Sequence, residues 1–132
     1  MKKLQKQMGR IFANIRVGRR DCWTLFDSGA ERTYVVKDVA RELSRGRLKK
    51  TWSTRLGGSV HRIRQDCTLR ATVEGKQLDT RAYVIDEIGH DPKGQPIDIL
   101  FGALSMQEYQ IVLDMKNEAL DLSHFPKEFV EF

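Results

Sequence analysis

The side chains best placed to do chemistry together are Asp27, Ser28 and Gly29. They follow Trp23-Thr24-Leu25-Phe26, four apolar or β-prone residues that read as a buried strand. A carboxylate at the end of such a strand must be solvated, paired or used. Ser28 can donate and accept through its hydroxyl. Gly29 opens backbone conformations closed to other residues and lets another chain approach closely. Taken alone, the same tripeptide is also what an Asx- or Ser-stabilised turn looks like. His61, His90 and His124 stand singly, and Cys22 and Cys67 form no Cys-x-x-Cys pair and have no spaced histidine partners. No metal and no cofactor is therefore expected. Both thiols read as reduced core residues, and sequence alone leaves open whether they pair.

Elements that could position Asp27 are mostly strands. Ile11, Ala13, Ile15 and Val17 alternate with exposed-type positions, Gly18-Arg19-Arg20-Asp21 signals a turn, and Cys22 to Phe26 forms a second strand. Val36, Val39, Ala40 and Leu43 fall on one face, which predicts a short helix over Lys37 to Ser44 with Gly46 as its stop. Ile63, Cys67, Leu69, Ala71 and Val73 line one side of a long strand, interrupted at Gln65. That strand turns at Glu74-Gly75-Lys76 into a return strand carrying Leu78, Ala82 and Val84. After the polar loop "DEIGHDPKGQP" come an apolar run closing in Gly102, a short helix over Ala103 to Tyr109, and a last hairpin turning at Lys116-Asn117. The final "HFPKEFVEF" is apolar enough to pack on its own domain or on a partner. The layout is an antiparallel β domain with two small helices.

The chain has 132 residues, which suits one domain over residues 1–132. A net charge of +5 favours solubility and says nothing about fold. The basic run Arg41, Arg45, Arg47, Lys49, Lys50 and Arg55 raises nucleic acid as a partner. Only Trp52 lies nearby to stack on bases, so nucleic acid is not expected. No apolar run reaches the about 20 residues that a membrane span needs. Met1-Lys2-Lys3 begins like a secretory signal, but no apolar stretch follows. A cytoplasmic protein without membrane contact, or a domain of a longer one, is the expectation.

Three motifs in order give a sharper reading. Leu25-Phe26-Asp27-Ser28-Gly29-Ala30, then "STRLGGSVHRIRQDCTLRATVEGKQLDTRAYVID" with Gly57-Gly58 near its tip, then Asp98-Ile99-Leu100-Phe101-Gly102 resemble the retropepsin-like aspartic proteases. The resemblance runs from about Ile11 to Leu122. It implies a single closed β-barrel or sandwich domain, all-β with one or two short helices, active as a dimer. It implies an aspartic endopeptidase acting on peptide or protein substrates. Only one such motif is present, because in Asp79-Thr80 an arginine, Arg81, replaces the glycine. The catalytic pair would then be two Asp27 carboxylates, one from each chain of a homodimer.

The resemblance also assigns roles. Asp27, Ser28 and Gly29 would form the catalytic loop, with the Ser28 hydroxyls interlocking across the dimer axis. Gly57 and Gly58 would sit at the tip of a mobile flap. Ala30, Glu31 and Arg32 would meet substrate, and Leu25, Tyr34, Ile97 and Leu100 would line pockets for apolar side chains. One departure stands out. Relatives usually carry a polar residue after the second glycine that braces the active-site loops, whereas this chain has Ala103-Leu104-Ser105-Met106. Weaker bracing follows. A related expectation is a retropepsin-like module that dimerises or binds peptides without cutting them.

Overall fold

The computed structural model describes residues 9–127. Nine strands are formed: β1 (Arg10–Val17), β2 (Arg20–Asp27), β3 (Tyr34–Val36), β4 (Arg45–Leu56), β5 (Ser59–Val73), β6 (Lys76–Ile85), β7 (Ile99–Phe101), β8 (Val112–Asp114) and β9 (Ala119–Asp121). Two short helices, α1 (Lys37–Ala40) and α2 (Ala103–Glu108), are the helices among the described residues. Seven strands make one sheet in the order β1-β2-β7-β3-β6-β5-β4. A further pairing of β1 with β5, at Arg16 and Thr72, closes the sheet into a barrel and leaves β4 as an attached edge. β8 and β9 form a separate hairpin. The all-β, retropepsin-like architecture read from the motifs is the one found.

The period of two along β2 explains the position of the acid. Cys22, Thr24 and Phe26 are fully buried, pointing into the barrel with Phe101, Leu69 and Val35. Trp23, Leu25 and Asp27 therefore share the other face. There Leu25 joins a second cluster with Tyr34, Ile63, Ile85, Ile88, Ile97 and Leu100. Each such side chain, fully buried, contributes about 1.5–3 kcal/mol. Asp27 thus stands at the rim of an apolar layer lying between the barrel and β4.

Several expectations need correction. The helix over Lys37 to Ser44 is one turn, Lys37–Ala40, prolonged only by turn hydrogen bonds out to Leu43. Val36 belongs to β3, where it pairs with Ile85. Gly46 stops no helix. It lies in β4 opposite Asp66, where a Cβ would stand 2.8 Å from Asp66 Oδ1. The basic residues Arg45, Arg47, Lys49, Lys50 and Arg55 ride on β4, an edge strand whose first half has no buried face. Charge on an edge strand also guards it against pairing with other chains. Gln65 interrupts the alternation of β5 at a register slip, where Arg47 to Trp52 of β4 spans only Gln65 to Ile63 of β5. Of the apolar tail, Phe125 stacks on Tyr109 with ring centres 5.3 Å apart. The rest of the tail from residue 128, and residues 1–8, lie outside the described residues.

Candidate active site

Asp27 ends β2 directly opposite Arg10, the first residue of β1. Its Oδ1 accepts the Gly29 N–H at 2.8 Å, and its Oδ2 faces Arg10 Nε at 3.6 Å. The carboxylate is only 15% exposed, while the arginine side chain is 61% exposed. Ser28 ties the loop to the start of β1. Its N–H donates to the Gly9 carbonyl at 3.0 Å, and its Oγ accepts the Gly9 N–H at 2.7 Å. Ala30 N–H donates to the Asp27 carbonyl at 3.2 Å and closes the turn. The Asx-type turn and the chemically placed acid are therefore one structure.

Gly102 and its neighbours lie against this loop. Parallel pairing of β2 with β7 brings Thr24 beside Ile99 and Phe26 beside Phe101, and Gly102 follows at once. A Cβ on Gly102 would overlap the Arg32 carbonyl and come within 2.9 Å of the Ala30 oxygen, so only glycine admits this approach. Two hydrogen bonds seal the contact: Ala103 N–H to the Ala30 carbonyl at 2.7 Å, and Leu104 N–H to the Glu31 carbonyl at 3.1 Å.

The bracing that seemed missing after Gly102 is supplied by buried hydroxyls. Thr80 donates to Glu108 Oε1 at 2.8 Å, and Gly102 N–H donates to Thr33 Oγ1 at 3.0 Å. Ser105 Oγ lies between them, 2.7 Å from Thr33 Oγ1 and 2.9 Å from Thr80 Oγ1. With both ends fixed, each hydroxyl accepts once and donates once, from Gly102 through Thr33, Ser105 and Thr80 to Glu108. Thr33, Thr80 and Ser105 are all buried. The weaker bracing expected from Ala103-Leu104-Ser105-Met106 is thus corrected, because the polar member comes two residues later and works through partners on other elements.

A cavity of about 330 Å³ opens above Asp27. Leu25, Ile97 and Leu100 line its floor and wall, and Leu56, Gly57 and His61 of the β4–β5 hairpin line its roof. The hairpin turns at Gly57-Gly58, with φ of +57° and +82° and Leu56 paired to Ser59. Positive φ at both positions is the tight two-residue turn that glycine favours. Ala30 packs at the edge of the apolar cluster beneath. Tyr34 lies outside the cavity, 5% exposed, with its ring 6.3 Å from Trp52 and 6.2 Å from Tyr83. Glu31 and Arg32 are exposed and also lie outside it. A larger depression of about 710 Å³, across Arg16, Arg70, Gln77 and Tyr109, holds none of the motif residues.

Sequence reasoning missed two groups here. His61 is buried, with Nδ1 2.6 Å from Asp86 Oδ1 and Nε2 3.3 Å from the Leu56 carbonyl oxygen. The hydrogen bond from His61, above all, holds the Asp86 carboxyl below its usual 3.8. Its signal was its place in the inward series of β5 with Ile63 and Cys67. Arg10 was missed because only the β1–β2 register places it opposite Asp27. Cys22 and Cys67 are both free and buried, and burial pushes each thiol up to about 11. Among the described residues, no cluster of His, Cys, Asp or Glu is grouped to hold a metal, and no helix is long and apolar enough to cross a membrane.

A closed barrel, an Asp-Ser-Gly loop locked against a second glycine loop, and a glycine-tipped hairpin above them make up a retropepsin-like fold. The fold is similar to the retroviral protease-like domain of Ddi1 from Leishmania major, with a TM-score of 0.62 over 86% of this chain and 88% of that one, at 18% identity. EIAV protease complexed with the inhibitor HBY-793 is similar over 76% of this chain and 88% of that one, at 17% identity and a TM-score of 0.49. No family model and no curated protein matches the chain. At 18% identity the likeness to the Ddi1 domain speaks for the fold alone.

Proposed function

We propose that this chain is a homodimeric aspartic endopeptidase, in which a water held between two Asp27 carboxylates, one per chain, attacks the scissile carbonyl. The observation that carries this reading is the place of Asp27: at the foot of an apolar-walled cavity, fixed by the Gly29 N–H and roofed by Gly57. Two carboxylates brought together across a two-fold axis cannot both ionise, so the pair shares one proton. The ionised member takes a proton from water, and the protonated member polarises the carbonyl. The substrate would lie extended between hairpin and floor, bonded through its main chain. Gly57 and Gly58 let the hairpin act as a flap that opens for substrate and closes to exclude water. Ser28 and Gly29 keep the loop in place, and Leu25, Ile97 and Leu100 take apolar side chains.

One contact favours the second reading, a retropepsin-like module that dimerises or binds peptide without cutting. Arg10 Nε stands 3.6 Å from Asp27 Oδ2, so a cation already sits against the carboxylate that a catalytic pair would use. Under the catalytic reading, the exposed Arg10 side chain swings clear when the dimer forms. The deciding experiment is cleavage of a mixed peptide library, read by mass spectrometry from acid to neutral pH, with wild type and Asp27→Asn. Cleavage lost in a folded Asp27→Asn variant, with specific activity that falls on dilution, supports the shared pair. A folded dimer that cuts nothing at any pH, also as Arg10→Ala, favours the non-catalytic module.

A further inference from the structure

Arg32 follows the Asp27 motif and leaves the loop at the outer end of the apolar layer. Its guanidinium carbon lies 4.8 Å from the centre of the Trp52 ring and 6.0 Å from that of Tyr83. Those rings meet edge to face at 5.1 Å, and Tyr34 completes the group. The three aromatics belong to β4, β6 and β3, so the plate beneath Arg32 is set by three strands of the sheet. Arg32 is exposed and enters no ion pair among the described residues.

Of the two arginines that lie over this plate, Arg32 is the one with open bonding capacity among the described residues. Arg81 also lies over Tyr83, at 5.1 Å, but its Nε and Nη2 are held by Asp66 Oδ2 at 3.1 and 2.9 Å. Glu108, in the same 410 Å³ groove as Arg32 and Arg81, accepts the Thr80 hydroxyl. Glu31 is exposed beside Arg32, and the exposed Lys49 and Lys50 precede Trp52 on β4 and outweigh it in sign. A guanidinium resting on aromatic faces keeps its N–H edges outward, in the fork that a carboxylate matches with two hydrogen bonds.

We propose that Arg32, preorganised on Trp52 and Tyr83, is a specificity-determining residue that takes an acidic side chain of the substrate peptide, some four residues from the scissile bond. The distance follows from β4. From Trp52 to Leu56, just before the turn over the cavity, the strand advances roughly 13 Å at its usual rise. An extended peptide running alongside advances at the same rate. A side chain about four residues from the bond above Asp27 therefore reaches Arg32. This rests on the peptide-binding reading of the cleft.

The test is library cleavage at moderate ionic strength by wild type, Arg32→Ala and Arg32→Glu. Wild type should enrich Asp and Glu three to five residues from the cut. For a matched pair of substrates, Glu and Gln at that position, the ratio of kcat/KM for Glu over Gln should fall about 10-fold in Arg32→Ala. Arg32→Lys should restore only part of the loss, and Arg32→Glu should reverse the preference towards basic side chains. Acidic enrichment that persists in Arg32→Ala, or none in wild type, overturns the proposal. If wild type cuts nothing, the same Glu and Gln peptides are titrated into Asp27→Asn protein, followed by tryptophan fluorescence. Tighter binding of the Glu peptide that disappears in the Arg32→Ala, Asp27→Asn double variant upholds the subsite while the protease reading fails. Equal binding of the two peptides, or binding of neither, overturns the subsite.

Discussion

Beneath the cavity, Gly102 presses against the Ala30 and Arg32 carbonyls, and five groups from Gly102 to Glu108 pass hydrogen bonds through a buried line. Above it, the β4–β5 hairpin reaches out with exposed Arg55, Gly57, Gly58, Ser59 and Val60 at its end. Among the described residues, side-chain hydrogen bonds tie this end of the hairpin to β3 at Tyr34 with Thr54 and to the opposite loop at His61 with Asp86. The floor is over-determined and the roof is lightly tethered. Under the proposed function, a site that holds its acid still while admitting a peptide calls for that division.

Adding a methyl group to the floor should do the most damage. Gly102→Ala must separate two loops joined by backbone hydrogen bonds, with an expected loss of roughly 3 kcal/mol in chemical denaturation. A loss under about 0.5 kcal/mol would mean that the loops give easily and that the floor is no stiffer than the roof. Ser105→Ala cuts the hydroxyl line in its middle and leaves Thr33 without an acceptor, at a cost of about 1–3 kcal/mol. Thermal unfolding of Ser105→Ala against the exposed control Gln107→Ala would measure it.

Changes in the roof should be milder and local. Gly58→Ala meets no atom within 4 Å, so its cost is the φ of +82° alone, about 1 kcal/mol. Gly57→Asn should cost less, because asparagine tolerates that conformation. Limited proteolysis should show faster cleavage within residues 53–62 for Gly58→Ala, with little change in melting temperature. The smallest effect is electrostatic. Asp86 has a folded-state pKa below 3.8, so the His61 contact contributes fully above that value and is lost as pH falls through the folded one. In His61→Gln, the Asp86 carboxyl followed by NMR should titrate closer to 3.8. No movement would show that the hairpin is held by its backbone and apolar contacts alone.

The same division decided what could be read from sequence. β1, β2, β5 and β6 were legible because each buries one face, so apolar residues recur at every second position. The first half of β4 was not, because from Arg45 to Lys50 on a sheet edge only Leu48 packs inward, and that in part, which leaves no period to detect. The α1 region misled because Val36 serves β3 while Val39 and Ala40 serve the helical turn, and together they mimic one longer helical face. Asp27 and Gly102 stood out because each sits in a local motif. Thr33, Thr80 and Ser105 carry no local signal, since only the crossing of β3, β6 and α2 brings their hydroxyls together. Arg32 was named, but its aromatic plate was not, because Trp52 and Tyr83 meet only across the folded sheet.

The parallel pairing beside Asp27 also sets an order of events. Trp23 N–H binds the Asp98 carboxylate across a separation of 75 residues, whereas the β5–β6 turn joins immediate neighbours. Contacts so distant close late. A chain emerging from the ribosome has made Asp27 long before Gly102, and during that interval the acid has no partner loop. The surroundings of Asp27 are therefore completed only after Gly102 has been made, some 75 residues after the acid itself.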